Sequence, residues 1–95
     1  MREILDALAD ELNSEGKARL ESHGTQWMIY ASQVVRGFTT FKYAFDLIPG
    51  DLSIKISRPK LCNSHGAYQE AEFDMMSPTG LDDLIATIKK WVRDA

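Results

Sequence analysis

The sequence predicts an α+β fold, a two-layer sandwich in which an N-terminal and a C-terminal helix pack on one face of a four- to five-stranded antiparallel sheet. Three observations predict it. Apolar residues recur with a helical period at both ends of the chain, they alternate with a period of two between those ends, and the alternating segments are joined by short connections. The 95 residues suit a single domain, 1–95, with one hydrophobic core.

The N-terminal segment predicts an amphipathic helix. Leu5, Leu8 and Leu12 recur at the spacing that places them on one stripe, and Gly16 follows as a natural C-terminal stop. The polar positions are mostly acidic, so we expect an acidic outer face. These acids are Glu3, Asp6, Asp10, Glu11 and Glu15.

The C-terminal segment shows the strongest helical pattern in the chain. Its apolar stripe comprises Leu81, Leu84, Ile85, Ile88, Trp91 and Val92. Ser77 or Thr79 can cap the N-terminus of this helix, where the first backbone N–H groups need an acceptor. Trp91 closes the stripe, and we therefore expect it to pack against the sheet.

Four segments between the helices alternate with a period of two, and a short additional strand is predicted just before His23 and Gly24. Strict alternation in the segment that follows Gly37 assigns Phe41, Tyr43 and Phe45 to the core. A sheet with helices on one side leaves its other side exposed to solvent. We call that solvent-exposed side the open face.

The open face is the predicted binding surface, because Tyr and Met among mixed charges are typical of protein interfaces. An ordinary solvated sheet face is one alternative. Packing of the face on a second copy of the chain, in a homodimer, is another. The predicted partner-binding residues are Met28, Tyr30, Lys42, Lys55, Tyr68, Glu70 and Glu72.

The segment from Arg58 to Gln69 contains the only cysteine, Cys62, and one of the two histidines, His65. A zinc site needs three or four ligands, and Cys62, His65 and His23 do not form such a pattern. A cysteine nucleophile needs a positioned base, which His65 or His23 would supply. We interpret the segment as a connecting loop and predict neither a metal nor a cofactor. A cysteine-dependent enzyme is the alternative.

Composition limits the partners and the compartment. The net charge of −3 opposes binding to a nucleic-acid backbone. Stacking of bases on Phe41 and Tyr43 is not expected either, because alternation assigns both rings to the core. A nucleic-acid binder would use the basic residues in the middle of the chain, which are Arg36, Lys42, Lys55, Arg58 and Lys60. No apolar run reaches the ~20 residues of a membrane span, and the single cysteine indicates a reducing cytoplasm.

No catalytic or nucleotide-binding motif is present in the sequence. In size, in its acidic helix and in this lack of motifs, the chain is similar to small adaptor, inhibitor, immunity and chaperone-type proteins. Many such proteins are encoded on mobile elements, and the similarity is one of type. We therefore predict a non-enzymatic protein-interaction module that binds a protein partner through the open face.

Overall fold

The computed structural model describes residues 2–58 and 69–93. The elements are α1 (Arg2–Glu15), β1 (Ala18–His23), β2 (Gln26–Val35), β3 (Phe38–Pro49), β4 (Ser53–Arg58), β5 (Gln69–Asp74) and α2 (Gly80–Arg93). The five strands form one antiparallel sheet whose spatial order follows the chain. The predicted α+β architecture is confirmed, including the short strand β1.

One hydrophobic core lies between the two helices and one face of the sheet. Leu8 of α1, Phe45 of β3 and Ile88 of α2 are completely enclosed in it. Burying a side chain of this size contributes about 1.5–3 kcal/mol relative to leaving it exposed. The same cluster contains Leu5, Leu12, Leu20, Ile29, Leu47, Ile54, Ile56 and Leu84. The helical stripes read from the sequence are therefore what holds the two layers together.

The helix ends follow local chemistry. Gly16 has a positive φ of 69°, the conformation that ends a helix. Thr79 immediately precedes α2, and its carbonyl accepts the backbone N–H of Asp83 in the first turn. The Thr79 hydroxyl donates a 3.2 Å hydrogen bond to the Asp83 carboxylate, and the Ser77 hydroxyl accepts the backbone N–H of Thr79 at 3.4 Å. In the part of the chain that the structure describes, neither helix combines the length and the apolar content that a bilayer crossing requires.

The pairing of β2 with β3 changes register at one point. Ile29 lies opposite Phe45, but its neighbour Tyr30 lies opposite Tyr43. Ala44 is therefore an extra residue in β3, which makes a β-bulge. Since side chains alternate along a strand, one extra residue reverses the faces of all the β3 residues that precede it.

The bulge overturns two predictions of face. Phe45 lies in the core as predicted, but Phe41 and Tyr43 lie on the open face, so their assignment to the core is wrong. Lys42 was predicted on the open face and lies on the helix side instead, opposite the buried Ala31. Strict alternation fails here because it takes no account of an inserted residue.

Strands β2 and β3 extend beyond the other strands of the described sheet as a two-stranded arm, residues 32–42. Arg36 and Gly37 join them, both with positive φ, at 53° and 83°. A two-residue connection of this kind forms a type I′ turn, whose twist matches that of the flanking strands. Two side chains near the end of the arm, Val34 and Phe38, are each 74% exposed.

Candidate protein-binding face

Strand pairing arranges the open face in rows that cross the sheet. One row crosses all five strands and contains Glu21, Met28, Asp46, Ser57 and Glu70. Neighbouring strands lie about 4.8 Å apart, so this row is about 19 Å long. The adjacent row contains Arg19, Tyr30 and Tyr43 on the first three strands. Aromatic and acidic side chains therefore lie beside each other on one surface.

Tyr30 and Tyr43 form the centre of the open face. Their ring centroids are 6.2 Å apart with an interplanar angle of 69°, an edge-to-face packing that aromatic rings prefer. The Tyr43 hydroxyl donates a 2.7 Å hydrogen bond to Oδ1 of Asp46. The Tyr30 hydroxyl lies 3.3 Å from Nε2 of His23 and 3.7 Å from the sulfur of Met28. Both rings are half-buried by their neighbours and held at the hydroxyl end.

A cation already lies on an aromatic ring of this face. The guanidinium carbon of Arg19 is 4.2 Å from the ring centroid of Phe41, within the range of a cation–π interaction. The bulge makes this contact possible, because without the extra residue Phe41 would lie on the helix side. We call Tyr30, Tyr43 and Phe41 the aromatic cluster.

Charged side chains surround the aromatic cluster on the strands to either side. Lys55 of β4 lies 3.7 Å from Glu70 and opposite Glu72 in the β4–β5 register. Counted over the described residues, the open face carries five carboxylates and two cationic groups, Arg19 and Lys55. The carboxylates are those of Glu21, Asp46, Glu70, Glu72 and Asp74. The face is therefore acidic around an aromatic centre.

Most of the predicted partner-binding residues share this face. The strand pairing places Met28, Tyr30, Lys55, Glu70 and Glu72 on it. Lys42 belongs to the helix side, as described above, and Tyr68 lies outside the described residues. The residues that β2 contributes to the face are not adjacent to those that β5 contributes, because β3 and β4 lie between these two strands.

Sequence reasoning missed Phe41, Tyr43 and Arg19 as components of the face. Their only sequence signal is weak: the small apolar Ala44 occupies a position that alternation assigns to the polar side. Ala44 and Phe45 are consecutive and both buried, which regular alternation on a one-sided sheet does not allow. Such an apolar pair inside an alternating strand is the feature to look for.

The proposed cysteine chemistry falls largely outside the described part of the chain, which omits Cys62 and His65. His23 lies exposed at the end of β1, with Nε2 3.9 Å from a carboxylate oxygen of Glu21. Among the described residues, no group of three or more His, Cys, Asp or Glu side chains has a geometry suited to a metal ion.

The helix side carries a groove between α1, β1 and α2. Its volume is about 320 Å³, and its apolar lining is formed by Leu12, Ala18, Ala86 and Val92. Lys89 at its rim binds Oε1 of Glu15 at 2.8 Å and Oε1 of Glu11 at 3.4 Å. This ion pair lowers the pKa of Glu15 and raises that of Lys89. The lysine therefore links the two helices.

Comparison of the chain with protein-family models, with curated proteins and with solved structures finds no significant match. The functional interpretation therefore depends on the residues of the open face.

Proposed function

We propose that this chain is a small, non-enzymatic protein-interaction module of the adaptor, inhibitor or immunity type, which binds a protein partner through the open face. The observation that supports this is the aromatic cluster on a sheet face that neither described helix covers. Tyr residues with polar tips and apolar rings are enriched at interfaces and dominate binding energies there. The residues proposed for contact are Arg19, Met28, Tyr30, Phe41, Tyr43 and Asp46.

The hydroxyl contacts favour binding by fixing the rings before a partner arrives. Tyr43 is bonded to Asp46, and the Tyr30 hydroxyl contacts His23 and Met28. Immobilising a side chain on binding costs about 0.5–1.5 kcal/mol. A ring that is already held avoids much of this cost, which suits Tyr30 and Tyr43 to the centre of an interface.

A nucleic acid is the second candidate partner, and the bulge is the observation that favours it. Tyr30, Tyr43 and Phe41 on one sheet surface resemble the stacking platforms on which single-stranded bases lie. The acidic surroundings oppose this role, because phosphate binding needs cationic groups. A protein partner is therefore favoured over a nucleic acid.

A second copy of the chain is disfavoured on the same electrostatic grounds. A two-fold homodimer through the open face would bring two acidic surfaces together, and like charges at an interface cost several kcal/mol. A partner with a different surface avoids this repulsion. The cysteine-dependent enzyme remains an alternative that depends on Cys62, and a thiol pKa well below its ordinary value would support it.

Affinity capture from a lysate of the source cells, with quantitative mass spectrometry, tests the proposal. We expect the wild type to enrich one protein that the Tyr30→Ala/Tyr43→Ala double variant does not. The matched control is Val35→Ala/Phe38→Ala, which truncates two exposed apolar side chains that pair across the arm on its helix side and should leave capture unchanged. Capture that persists in the double tyrosine variant would overturn the proposal, and enrichment of RNA or DNA in place of a protein would support the second candidate.

A further inference from the structure

We infer that the partner surface that docks on the open face is cationic and presents arginine or lysine side chains to the aromatic cluster. This inference rests on the proposed function, since it names the chemistry of the partner for the same face. Three features of the described residues support it: an internal precedent, an uncompensated charge and the position of Asp46.

The internal precedent is the contact of Arg19 with Phe41. A guanidinium of this chain lies 4.2 Å from the centre of that ring, on the same face as the tyrosine pair. The aromatic quadrupole attracts cations at the ring face, and this attraction is stronger when water is excluded than at an exposed site. A docked partner excludes water, so the rings bind a partner's cation more strongly than the free chain binds its own.

The charge of the face is only partly compensated within the described chain. Lys55 is paired with Glu70, and Arg19 lies over Phe41. No cation of the described residues lies within ion-pair distance of Glu72 or Asp46. Burying unpaired carboxylates under a neutral or acidic partner would be costly, and cationic side chains in the partner would remove this cost.

Asp46 places one of these carboxylates directly beside the aromatic cluster. Its Oδ1 accepts the hydrogen bond from the Tyr43 hydroxyl, so a carboxylate lies at the edge of the tyrosine pair. Met28, directly opposite Asp46 in the register, adds an adaptable apolar contact beside it. A long cationic side chain lying over the tyrosines can reach this carboxylate with its charged end and cover Met28 with its methylene groups.

Peptide binding to the intact chain tests the inference. The probes are two short, blocked and fluorescently labelled peptides, one of alternating threonine and arginine and the other of alternating threonine and glutamate. We expect only the arginine peptide to bind. The Asp46→Asn/Glu72→Gln variant removes two carboxylates from the face while keeping side-chain size and an acceptor oxygen for Tyr43. We expect this variant to bind the arginine peptide with about tenfold lower affinity than the wild type.

The matched control distinguishes binding at the open face from a general electrostatic attraction between an acidic protein and a cationic peptide. Asp6→Asn/Asp10→Asn makes the same change of net charge on the exposed side of α1, and it should change the affinity by less than about twofold, since distant exposed charges are screened. Equal weakening by both variants, or binding of the glutamate peptide, would overturn the inference.

The outcomes for the inference and for the proposed function remain distinct. If the protein captured from lysate is lost with Tyr30→Ala/Tyr43→Ala but kept, at unchanged affinity, with Asp46→Asn/Glu72→Gln, the face binds a partner that is not cationic. The inference then fails while the proposed function stands. If neither variant affects capture, the proposed function fails as well.

Discussion

Tyr30 of β2 lies directly opposite Tyr43 of β3, although the preceding residue, Ile29, lies opposite Phe45. A regular antiparallel ladder would place Ala44 opposite Tyr30. The bulge therefore keeps Phe45 in the core and turns Tyr43 and Phe41 toward solvent. One extra residue thus separates the strand into a part that serves stability and a part available for binding.

Removal of Ala44 tests the bulge. The deletion should convert the bulge into regular pairing, with Phe45 still opposite Ile29 and Tyr43 still opposite Tyr30. The free energy of unfolding should fall by only about 1 kcal/mol, because one small buried side chain is lost. Proton NMR contacts between the two tyrosine rings should persist.

Removal of Asp46 is the control for this deletion, because it moves Phe45 out of the core and should cost roughly 3–5 kcal/mol. A loss of that size for Ala44, or disappearance of the contacts between the tyrosine rings, would show that the bulge is misplaced.

The two ends of the chain illustrate what sequence reasoning predicted well. Leu8 and Ile88 were assigned to the core from helical periodicity alone, and both are fully buried. Repeated spacing over several turns leaves one possible apolar face, so the assignment is robust. The short connections between consecutive strands likewise predicted the antiparallel sheet, because strands joined by only a few residues pair in an antiparallel way.

The candidate site was predicted only in part, for a physical reason. Met28 and Tyr30 were placed correctly because β2 alternates without interruption along its apolar residues. Phe41 and Tyr43 were assigned to the wrong face because the residues before and after an inserted residue each still alternate with a period of two. The alternation alone therefore does not reveal the insertion. The bulge depends on how β2 and β3 pair, and a single strand does not determine that.

Truncation of Trp91 should destabilise the chain. Its ring packs edge-on against Phe45 with centroids 5.2 Å apart, and the guanidinium of Arg58 lies 4.9 Å from its centre. Arg58 also donates a hydrogen bond to the Trp91 carbonyl, in the last turn of α2. Trp91→Ala should lower the free energy of unfolding by about 3 kcal/mol in urea melts.

Trp91→Phe should retain part of the ring contact, and it should therefore lower the free energy of unfolding by less than Trp91→Ala does. A loss under about 1 kcal/mol for the alanine variant would mean that the α2 stripe does not depend on this contact.

Gly80, the first residue of α2, should tolerate no side chain. It is buried, and a Cβ atom at this position would collide with the backbone carbonyl of Asp74. Gly80→Ala should therefore cost about 2 kcal/mol, although alanine is the better helix former. Asp82→Ala, at an exposed position of the same turn, is the comparison in thermal melts. A Gly80→Ala variant more stable than the wild type would contradict the close approach of Gly80 to the Asp74 backbone.

The ion pair between Glu15 and Lys89 should make stability depend on pH. The hydrogen bond and the attraction of Lys89 lower the pKa of Glu15 in the folded chain. A lowered carboxyl pKa stabilises the fold above the unfolded-state value of about 4.3, and this contribution is lost as the pH falls through the folded value. Glu15→Gln should therefore lower Tm at neutral pH, and the difference from wild type should shrink in acid.

The control is the same Glu15→Gln substitution in a Lys89→Met background, where the ion-pair partner is gone and the pH-dependent difference should be much smaller. Salt should reduce the Glu15 effect, because this pair is exposed. A difference in Tm for Glu15→Gln that is independent of pH would indicate that the carboxylate charge is not what links the helices.

The most direct measurement of the central claim is the NMR response of methionine methyl groups labelled with carbon-13, as the partner captured from lysate is added. Met28 lies on the open face, whereas Met75 packs on the helix side near Gly80. Binding through the open face predicts a large shift or broadening of the Met28 methyl signal and little change at Met75. A shift at Met75 with an unchanged Met28 signal would contradict the account and move the binding surface to the helices.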